Sequence, residues 1–218
     1  MKITYFTFNP FSTNCFIASS GKSAVIVDPS CESQTEVDTV IRFLKSEHLI
    51  PERILLTHAH IDHIFGCAAL SNRFNTPVWV HPDDAPLIEK APLQAQMFGL
   101  TFDPQSFDTE LFSDDDTIEF GETKWSILHT PGHSPGSVSF FDPEDRSVIA
   151  GDVLFRGSIG RTDLWQGSLP VLMRSIFQQL VPLGNDVTVY SGHGPETTIG
   201  EELRSNPFLS HIESPTQG

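Results

Sequence analysis

The stretch Thr57-His58-Ala59-His60-Ile61-Asp62-His63 places three histidines and one aspartate, all able to bind a metal ion, within six residues. It follows the apolar run Ile54-Leu55-Leu56, which predicts a buried strand. A helix alone would point neighbouring side chains in different directions, so a loop between a strand and a helix is needed to gather them around one point. The stretch therefore predicts a metal site at the end of a strand.

Three further candidate ligands stand at matching places along the chain. His133, Asp152 and His193 each follow an apolar run that predicts a strand. Strand ends at one edge of a layered sheet are where such folds build their sites, so we expect these side chains to join the first group. Imidazole and carboxylate ligands suit zinc, iron or manganese, and no thiolate is required.

The remaining pattern predicts an α/β domain with mixed β-sheets that spans residues 1–218. Ser33 and Glu36 have the spacing of a capping box, which predicts the start of a helix. A second helix is expected over about Ile61 to Arg73, and a long functional loop over about Ala91 to Asp108. Paired strands are predicted over residues 3–8 and 15–18, and hairpins over residues 117–128 and 137–150. Two later helices are predicted over residues 168–180 and 199–204.

Composition limits the classes of partner. The formal net charge of −15 argues against nucleic acid and weakly against an anionic membrane surface. The acidic runs Asp83-Asp84 and Asp114-Asp115-Asp116 are interpreted as solvated surface. No apolar run has the length of a membrane span, and the first residues lack the pattern of a signal peptide. Three cysteines without a C-x-x-C motif fit a reducing compartment, so we expect a cytoplasmic protein with Cys15 and Cys67 buried.

The motifs together resemble those of the metallo-β-lactamase superfamily, in an order and spacing that cover nearly the whole chain. The resemblance implies a four-layer αββα sandwich. Within the superfamily the chain resembles the single-domain glyoxalase II-like group. The segments that carry these likenesses are Thr57 to His63, Thr130-Pro131-Gly132-His133-Ser134-Pro135-Gly136-Ser137, Gly151-Asp152, Gly160-Arg161-Thr162-Asp163, Gly192-His193-Gly194-Pro195 and Asn206-Pro207-Phe208.

The resemblance also implies two divalent metal ions, with zinc expected and iron or manganese as alternatives. Asp152 would bridge the two ions. Asp28 resembles an aspartate that steadies the histidine loop, although a helix or turn cap explains it equally well from the sequence. The implied ligands are His58, His60 and His133 for one ion, and Asp62, His63 and His193 for the other.

The reaction implied by the resemblance is hydrolysis of a small-molecule thioester by a hydroxide shared between the two metal ions. Asp62 would orient the hydroxide, which makes Asp62 and Asp152 the candidate catalytic residues. The expected substrate is S-2-hydroxyacylglutathione, which gives glutathione and a 2-hydroxy acid. Longer enzymes of this group bind glutathione through an added C-terminal helical domain. This chain ends shortly after Asn206-Pro207, so we expect its glutathione site to be reduced or differently made.

Two arginines near Asp152 are candidates for binding a substrate carboxylate, namely Arg156 and Arg161. A salt bridge from Arg161 to Asp163 explains Arg161 equally well. Four histidines outside the motifs are not expected to bind the metal ions. His48, His81 and His211 are predicted to lie on the surface, and His129 to be structural.

Two other functions remain open from the sequence. A persulfide dioxygenase has the same scaffold and a similar Gly-Arg-Thr-Asp segment, and uses one iron ion at positions matching His58, His133 and Asp152. The segment Gly192-His193-Gly194-Pro195 favours the hydrolase over that enzyme. A non-catalytic metal-binding protein is disfavoured because every ligand position is filled. The oligomeric state stays open.

Overall fold

The computed structural model describes residues 1–100, 102, 107–113 and 116–209. Its first sheet has six strands that lie side by side in sequence order. The first three are antiparallel neighbours, and the last four run parallel to one another. The strands are β1 (Lys2–Phe8), β2 (Thr13–Ser20), β3 (Ser23–Val27), β4 (Ile50–Leu55), β5 (Val78–Val80) and β6 (Thr109–Leu111).

The second half of the chain forms another six-stranded sheet and a small hairpin. The strands are β7 (Thr117–Phe120), β8 (Thr123–His129), β9 (Val138–Asp142), β10 (Ser147–Gly151), β11 (Leu154–Phe155), β12 (Ser158–Ile159), β13 (Thr188–Ser191) and β14 (Thr197–Thr198). The order in the larger sheet is β14-β13-β10-β9-β8-β7, with β10 and β13 parallel and the other neighbours antiparallel. Both large sheets are therefore mixed, as the sequence predicts.

Helices cover the outer face of each sheet. They are α1 (Gln34–Ser46), α2 (Ile61–Ile64), α3 (Cys67–Phe74), α4 (Ala85–Glu89), α5 (Ala91–Met97), α6 (Leu169–Ser175) and α7 (Ile199–Ser205). A π-helical turn, Ile176–Leu180, continues α6. The capping box of α1 is present, because Ser33 and the side chain of Glu36 bind each other's backbone N–H.

The alternation of side chains along the strands produces the four layers. On β3, Ile26 packs towards the helices of the first half, whereas Val25 and Val27 pack between the two sheets. On β10, Ile149 lies between the sheets, while its neighbours Val148 and Ala150 pack against α6 and its π-helical extension. Because successive side chains of a strand point to opposite faces, each sheet buries one face on its helices and the other on its partner sheet. The predicted αββα sandwich is confirmed.

Two predicted segments differ from the structure. The single helix expected over 61–73 is two helices, α2 and α3, separated at Gly66. The Gly66 N–H donates to the carbonyl oxygen of Pro29 at 2.7 Å, and a Cβ there would lie 2.8 Å from that oxygen. The close approach of the segment after β3 explains the break. The loop expected over 91–108 begins instead with α5, while residues 101 and 103–106 lie outside the described part.

Other expectations concern the cysteines and the membrane. Cys15, Cys31 and Cys67 are free and buried, which confirms the two burial predictions. Within the residues that the structure describes, no helix is long and apolar enough to cross a membrane.

Candidate metal centre

The two sheets bring all seven predicted ligands to one shared edge. His58, His60, Asp62 and His63 lie on the segment that leaves β4 and enters α2. The other three follow strands of the second sheet, and they are His133 after β8, Asp152 after β10 and His193 after β13. Strands β8, β10 and β13 run in the same direction, so their carboxyl ends meet at this edge. An isolated bridge between Thr13 and His193 joins the sheets there.

His58, His60 and His133 form the first group of side chains. Their potential ligand atoms all lie within 4.8 Å of one another. The Nδ1 atom of His60 is 2.8 Å from the Nε2 atom of His133. The Nε2 atom of His58 is buried and has no hydrogen-bond partner among the described residues. Three imidazole nitrogens therefore converge on one point.

Asp62, His63 and His193 form the second group, also within 4.8 Å. The Oδ2 atom of Asp62 lies 3.4 Å from His63 Nε2 and 3.3 Å from His193 Nε2. Thr13 donates its hydroxyl to the same carboxylate oxygen at 2.7 Å, which fixes the Asp62 side chain. The His193 side chain is 26% exposed, the largest value of the seven, so the centre opens to solvent on this side.

Asp152 lies between the two groups. Its Oδ2 atom is 3.5 Å from His133 Nε2 in the first group and 3.4 Å from His193 Nε2 in the second. Its Oδ1 atom is 3.5 Å from His63 Nε2 and has no hydrogen-bond partner in the described part of the chain. One carboxylate thus contacts both halves of the cluster.

Second nitrogens of four histidines are held by groups outside the cluster, which orients their other nitrogens inward. The contacts are His58 Nδ1 to Thr57 Oγ1 at 3.1 Å, His63 Nδ1 to Asp28 Oδ2 at 3.0 Å, His133 Nδ1 to the Arg161 carbonyl at 2.7 Å and His193 Nδ1 to the Phe11 carbonyl at 3.0 Å.

The electrostatics differ between the two groups. Burial, reinforced by the neighbouring His133, lowers the pKa of His60 to about 3. Burial alone would raise the pKa of Asp152, but the surrounding histidines have the larger effect and lower it to about 2. For His63 and His193, the neighbouring carboxylates outweigh burial and raise the pKa to about 9 and about 11 respectively. Burial opposes charge at Asp62 too, but His63 and His193 lower its pKa. Asp62 and Asp152 are therefore ionised at neutral pH, and their negative charges balance the positive charges of His63 and His193.

The donor set fits a divalent metal ion. Buried polar atoms without a partner are costly unless something binds them. Among the described residues four buried side-chain atoms are in that state, and three of them, His58 Nε2, His63 Nε2 and Asp152 Oδ1, lie in the cluster, while Trp125 Nε1 lies in the core between the sheets. Imidazole nitrogens with carboxylate oxygens are a donor set that zinc, iron and manganese accept.

Asp28 anchors the histidine segment. It is fully buried, with a positive φ of 52°, directly after β3. Its carboxylate accepts hydrogen bonds from the Thr57 N–H and the Thr57 hydroxyl, both at 2.7 Å, and contacts His63. The side chain thus fixes both ends of the stretch from Thr57 to His63.

Asp84 is a site residue that the sequence analysis missed. The prediction that Asp83-Asp84 is a solvated run is wrong for Asp84, which is fully buried. Its carboxylate accepts from the Ala59 N–H at 2.8 Å, the Ser134 hydroxyl at 2.8 Å and the Gly136 N–H at 2.7 Å. A Cβ on residue 136 would lie 2.6 Å from the Asp84 backbone nitrogen. The glycine at position 136, within the motif from Thr130 to Ser137, was therefore the feature of the sequence that indicated a close neighbour there.

The remaining predictions on acidic and histidine residues have mixed outcomes. His81 was predicted to lie on the surface, and this is wrong, because it is 6% exposed and its ring stacks on His129 with centroids 4.5 Å apart. His48 and Asp116 are exposed as predicted. Asp114, Asp115 and His211 lie outside the described residues.

The two candidate substrate-binding arginines are both engaged. Arg161 donates two hydrogen bonds to Asp163, at 2.7 and 2.8 Å, as the salt-bridge explanation predicted. Its side chain remains 53% exposed, and its carbonyl holds His133. Arg156 donates to the carbonyl oxygen of Glu196.

Comparisons with known proteins agree with this geometry. A family model of the metallo-beta-lactamase superfamily matches residues 8–193. The hydroxyacylglutathione hydrolase GloC of Haemophilus influenzae is 37% identical over 213 residues, covering 96% of this chain and 99% of that protein. The probable metallo-hydrolase YqgX of Bacillus subtilis is 36% identical over 203 residues, covering 92% of this chain and 94% of that protein.

Solved structures show the same similarity. BLEG-1 B3 metallo-beta-lactamase superposes with a TM-score of 0.88 at 37% identity, over 96% of this chain and 100% of that chain. TTHA1623, crystallised in a di-iron-bound form, gives a TM-score of 0.85 at 39% identity, over 94% and 100%. ETHE1 from Myxococcus xanthus gives a TM-score of 0.79 at 25% identity, over 96% of this chain and 85% of that chain.

By class, the chain is a metallo-hydrolase. It belongs to the metallo-beta-lactamase superfamily, whose motifs its sequence resembles.

Proposed function

We propose that this chain hydrolyses small-molecule thioesters at a centre of two divalent metal ions, with S-2-hydroxyacylglutathione as the substrate. The observation that carries the proposal is the position of Asp152, whose carboxylate contacts histidines of both groups. A carboxylate between two sets of ligands is the arrangement that a pair of neighbouring ions needs. The products would be glutathione and a 2-hydroxy acid.

Each group would hold one ion. His58, His60 and His133 would bind the first, while Asp62, His63 and His193 would bind the second, with Asp152 shared. When bound, two such ions would supply a hydroxide nucleophile at neutral pH and a Lewis acid for the carbonyl oxygen. Zinc is the proposed metal, with iron and manganese as alternatives that the same donor set accepts.

The protein's own groups would then orient the reacting water and the substrate. Asp62, fixed by the Thr13 hydroxyl, presents a carboxylate oxygen 3.3 Å from His193 Nε2 at the open side of the centre. That oxygen can accept a hydrogen bond from a water molecule and aim it at the carbonyl carbon. A thiolate leaves without prior protonation, so the site needs no separate general acid for a thioester.

Substrate recognition is proposed from charge and from the relatives. A free carboxylate of glutathione would meet Arg161, which is half exposed and placed beside His133. Arg156 is the second candidate. The similarity to GloC supports a glutathione thioester. The three free, buried cysteines support a cytoplasmic setting, where thiols stay reduced.

A paired assay tests this function. The purified, metal-loaded chain is given S-lactoylglutathione while thiol release is followed, and then glutathione persulfide while oxygen uptake is followed. We expect thiol release without oxygen uptake. Oxygen uptake with one iron ion per chain and no thiol release would identify a persulfide dioxygenase instead, an enzyme that uses positions matching His58, His133 and Asp152.

A variant pair strengthens the assay. Asp152→Asn removes the shared charge, and we expect it to lose bound metal and thiol release together. Asp38→Asn on the exposed face of α1 is the matched control and should behave as the unaltered protein. Retained turnover in Asp152→Asn with reduced metal content would show that this carboxylate does not bridge the ions.

A further inference from the structure

Helix α5 lies along the mouth of the metal centre. The side-chain oxygen of Gln94, in the middle of the helix, accepts a hydrogen bond from the Ile61 N–H at 3.1 Å. Ile61 stands between the ligands His60 and Asp62, so α5 is fastened directly to the metal-binding stretch. The Gln94 amide nitrogen donates to the Leu87 carbonyl at 3.1 Å, which fixes the helix to α4.

The two ends of α5 reach opposite sides of the centre. Just before the helix, the Lys90 ammonium lies 3.7 Å from the ring centroid of Trp165. Trp165 belongs to the loop whose Arg161 carbonyl holds His133. Just after the helix, the Phe98 ring meets the Phe11 ring edge-on, with centroids 5.3 Å apart.

The Phe11 backbone connects this second end to the metal centre, because its carbonyl accepts the hydrogen bond of His193 Nδ1 at 3.0 Å. The ring of Phe155 lies near the same histidine, with centroids 6.1 Å apart. A helix of seven residues is about 10 Å long. It therefore spans the mouth from the His133 side to the His193 side.

The side of α5 away from the core carries unusually exposed apolar side chains. Ala91 and Ala95 pack into the core, whereas Leu93 is 58% exposed, Met97 71% and Phe98 40%. Leu93 and Met97 are four residues apart and so lie on one face of the helix. Contiguous exposed apolar surface on a soluble domain marks a place where a ligand or partner binds. We call Phe11, Leu93, Met97 and Phe98 the apolar wall.

The charges around the mouth divide it into two unlike ends. Two cations stand at the His133 end, Lys90 over the Trp165 ring and Arg161 in its ion pair with Asp163. The His193 end, which is the open side of the centre, carries Phe11, Met97 and Phe98 of the apolar wall. Its nearby cation, Arg156, donates to the Glu196 carbonyl oxygen. The two halves of a glutathione thioester also differ in charge, because the glutathione half carries carboxylates and the acyl half carries none.

We propose that the apolar wall binds the acyl side chain of the substrate, and that the enzyme prefers 2-hydroxyacyl groups bearing an aryl or larger alkyl substituent over the lactoyl group. The inference rests on the proposed thioester hydrolysis and names its substrate class. The cationic end attracts the carboxylates of the thiol half, which places the acyl half against the wall. A larger apolar substituent then removes more apolar surface from water, on the substrate and on the wall alike.

The test keeps the thiol constant and varies the acyl group. Thiol release by the metal-loaded chain is measured with S-lactoylglutathione and with S-mandeloylglutathione, in which a phenyl ring replaces the methyl group. We expect kcat/KM to be about tenfold higher for the mandeloyl thioester, the scale of discrimination that an apolar contact surface supplies. Met97→Gln, which keeps the length of the side chain, and Phe98→Ala should each lower that ratio several-fold.

Controls separate the possible results. Ile50→Ala, at an apolar side chain 62% exposed in β4 and remote from the centre, should leave both rates and their ratio unchanged. Equal cleavage of the two thioesters by the unaltered chain, or an unchanged ratio in both wall variants at full metal content, would overturn the inference but leave thioester hydrolysis standing. A dimer that Met97→Gln dissociates would also overturn it, by assigning the wall to a second copy. If the chain releases thiol from neither thioester, both the proposed function and this inference are wrong.

Discussion

The Asp84 carboxylate accepts a hydrogen bond from the Ala59 N–H at 2.8 Å, which ties a fully buried charge to the residue between two candidate metal ligands. The same carboxylate accepts hydrogen bonds from Ser134 and Gly136, which are one and three residues after His133. It therefore sets the distance between the two loops that supply His58, His60 and His133. Burial raises the pKa of Asp84, and the three donors counteract that effect by favouring its ionised form.

Replacing Asp84 by asparagine should weaken the first group of ligands. The amide nitrogen cannot accept a hydrogen bond, so at least one buried donor loses its partner, at a cost of about 1–3 kcal/mol in the free energy of unfolding. We expect the three-histidine group to lose its ion before the second group does. Urea unfolding of the metal-free chain and the metal content after dialysis measure the two effects. Asp83→Asn is the control, because the neighbouring Asp83 side chain is 58% exposed; equal behaviour of the two variants would refute the role of Asp84.

Asp28→Asn should act on the other group. Asp28 contacts His63 Nδ1 at 3.0 Å and receives both hydrogen bonds from Thr57. Loss of such a supporting carboxylate costs about 10- to 100-fold in metal affinity or activity. Competition with a chromophoric chelator measures the affinity for each ion, with Asp38→Asn as the surface control. An unchanged affinity would mean that Asp28 serves only as a turn residue after β3.

Removal of the metal ions should destabilise the fold. A ligand present at about 1,000 times its dissociation constant stabilises the native state by about 4 kcal/mol. For a domain of this size that corresponds to a change of about 10 °C in Tm. Thermal unfolding before and after chelation, and again after zinc is restored, measures the shift. If chelation leaves the Tm unchanged, the buried, unpartnered atoms of His58, His63 and Asp152 do not bind metal.

Arg161 offers a test of substrate binding that separates it from a structural ion pair. The pair with Asp163 is exposed, and exposed pairs stabilise a fold by only about 0–1 kcal/mol. We expect Arg161→Gln to raise KM for S-lactoylglutathione about tenfold with kcat nearly unchanged, because an interaction made equally in the ground and transition states is lost. Arg146→Gln breaks the comparable pair with Asp186 and is the matched control. An unchanged KM in Arg161→Gln would show that Arg161 does not bind the substrate and serves only in its ion pair with Asp163.

Local patterns were sufficient to predict which segments meet at the candidate metal centre. Each candidate ligand follows an apolar run, and strand ends can be read from the sequence because turns and apolar runs are local features. The capping box at Ser33 is local for the same reason. The four layers followed from the motifs that resemble the superfamily.

Contacts between residues far apart in the sequence decide the structure at the places that local patterns did not predict. Asp84 looks like one of a surface pair until the chain brings Ala59 and Gly136 to it, from 25 and 52 residues away. The segment of α5 was predicted to begin a long loop because Pro92, Gly99 and Pro104 interrupt the sequence there. Pro92, however, lies in the first turn of α5, where proline is well tolerated. The Gly66 break in the helix after the metal-binding stretch depends on the carbonyl of Pro29.

The central claim is that two ions act together in thioester hydrolysis. The most direct measurement is a titration of the metal-free chain with zinc while thiol release from S-lactoylglutathione is recorded. We expect activity to reach its maximum only after the second equivalent, because the proposed nucleophile needs the ions of both groups. Full activity after one equivalent, or thiol release that does not depend on added metal, would contradict it.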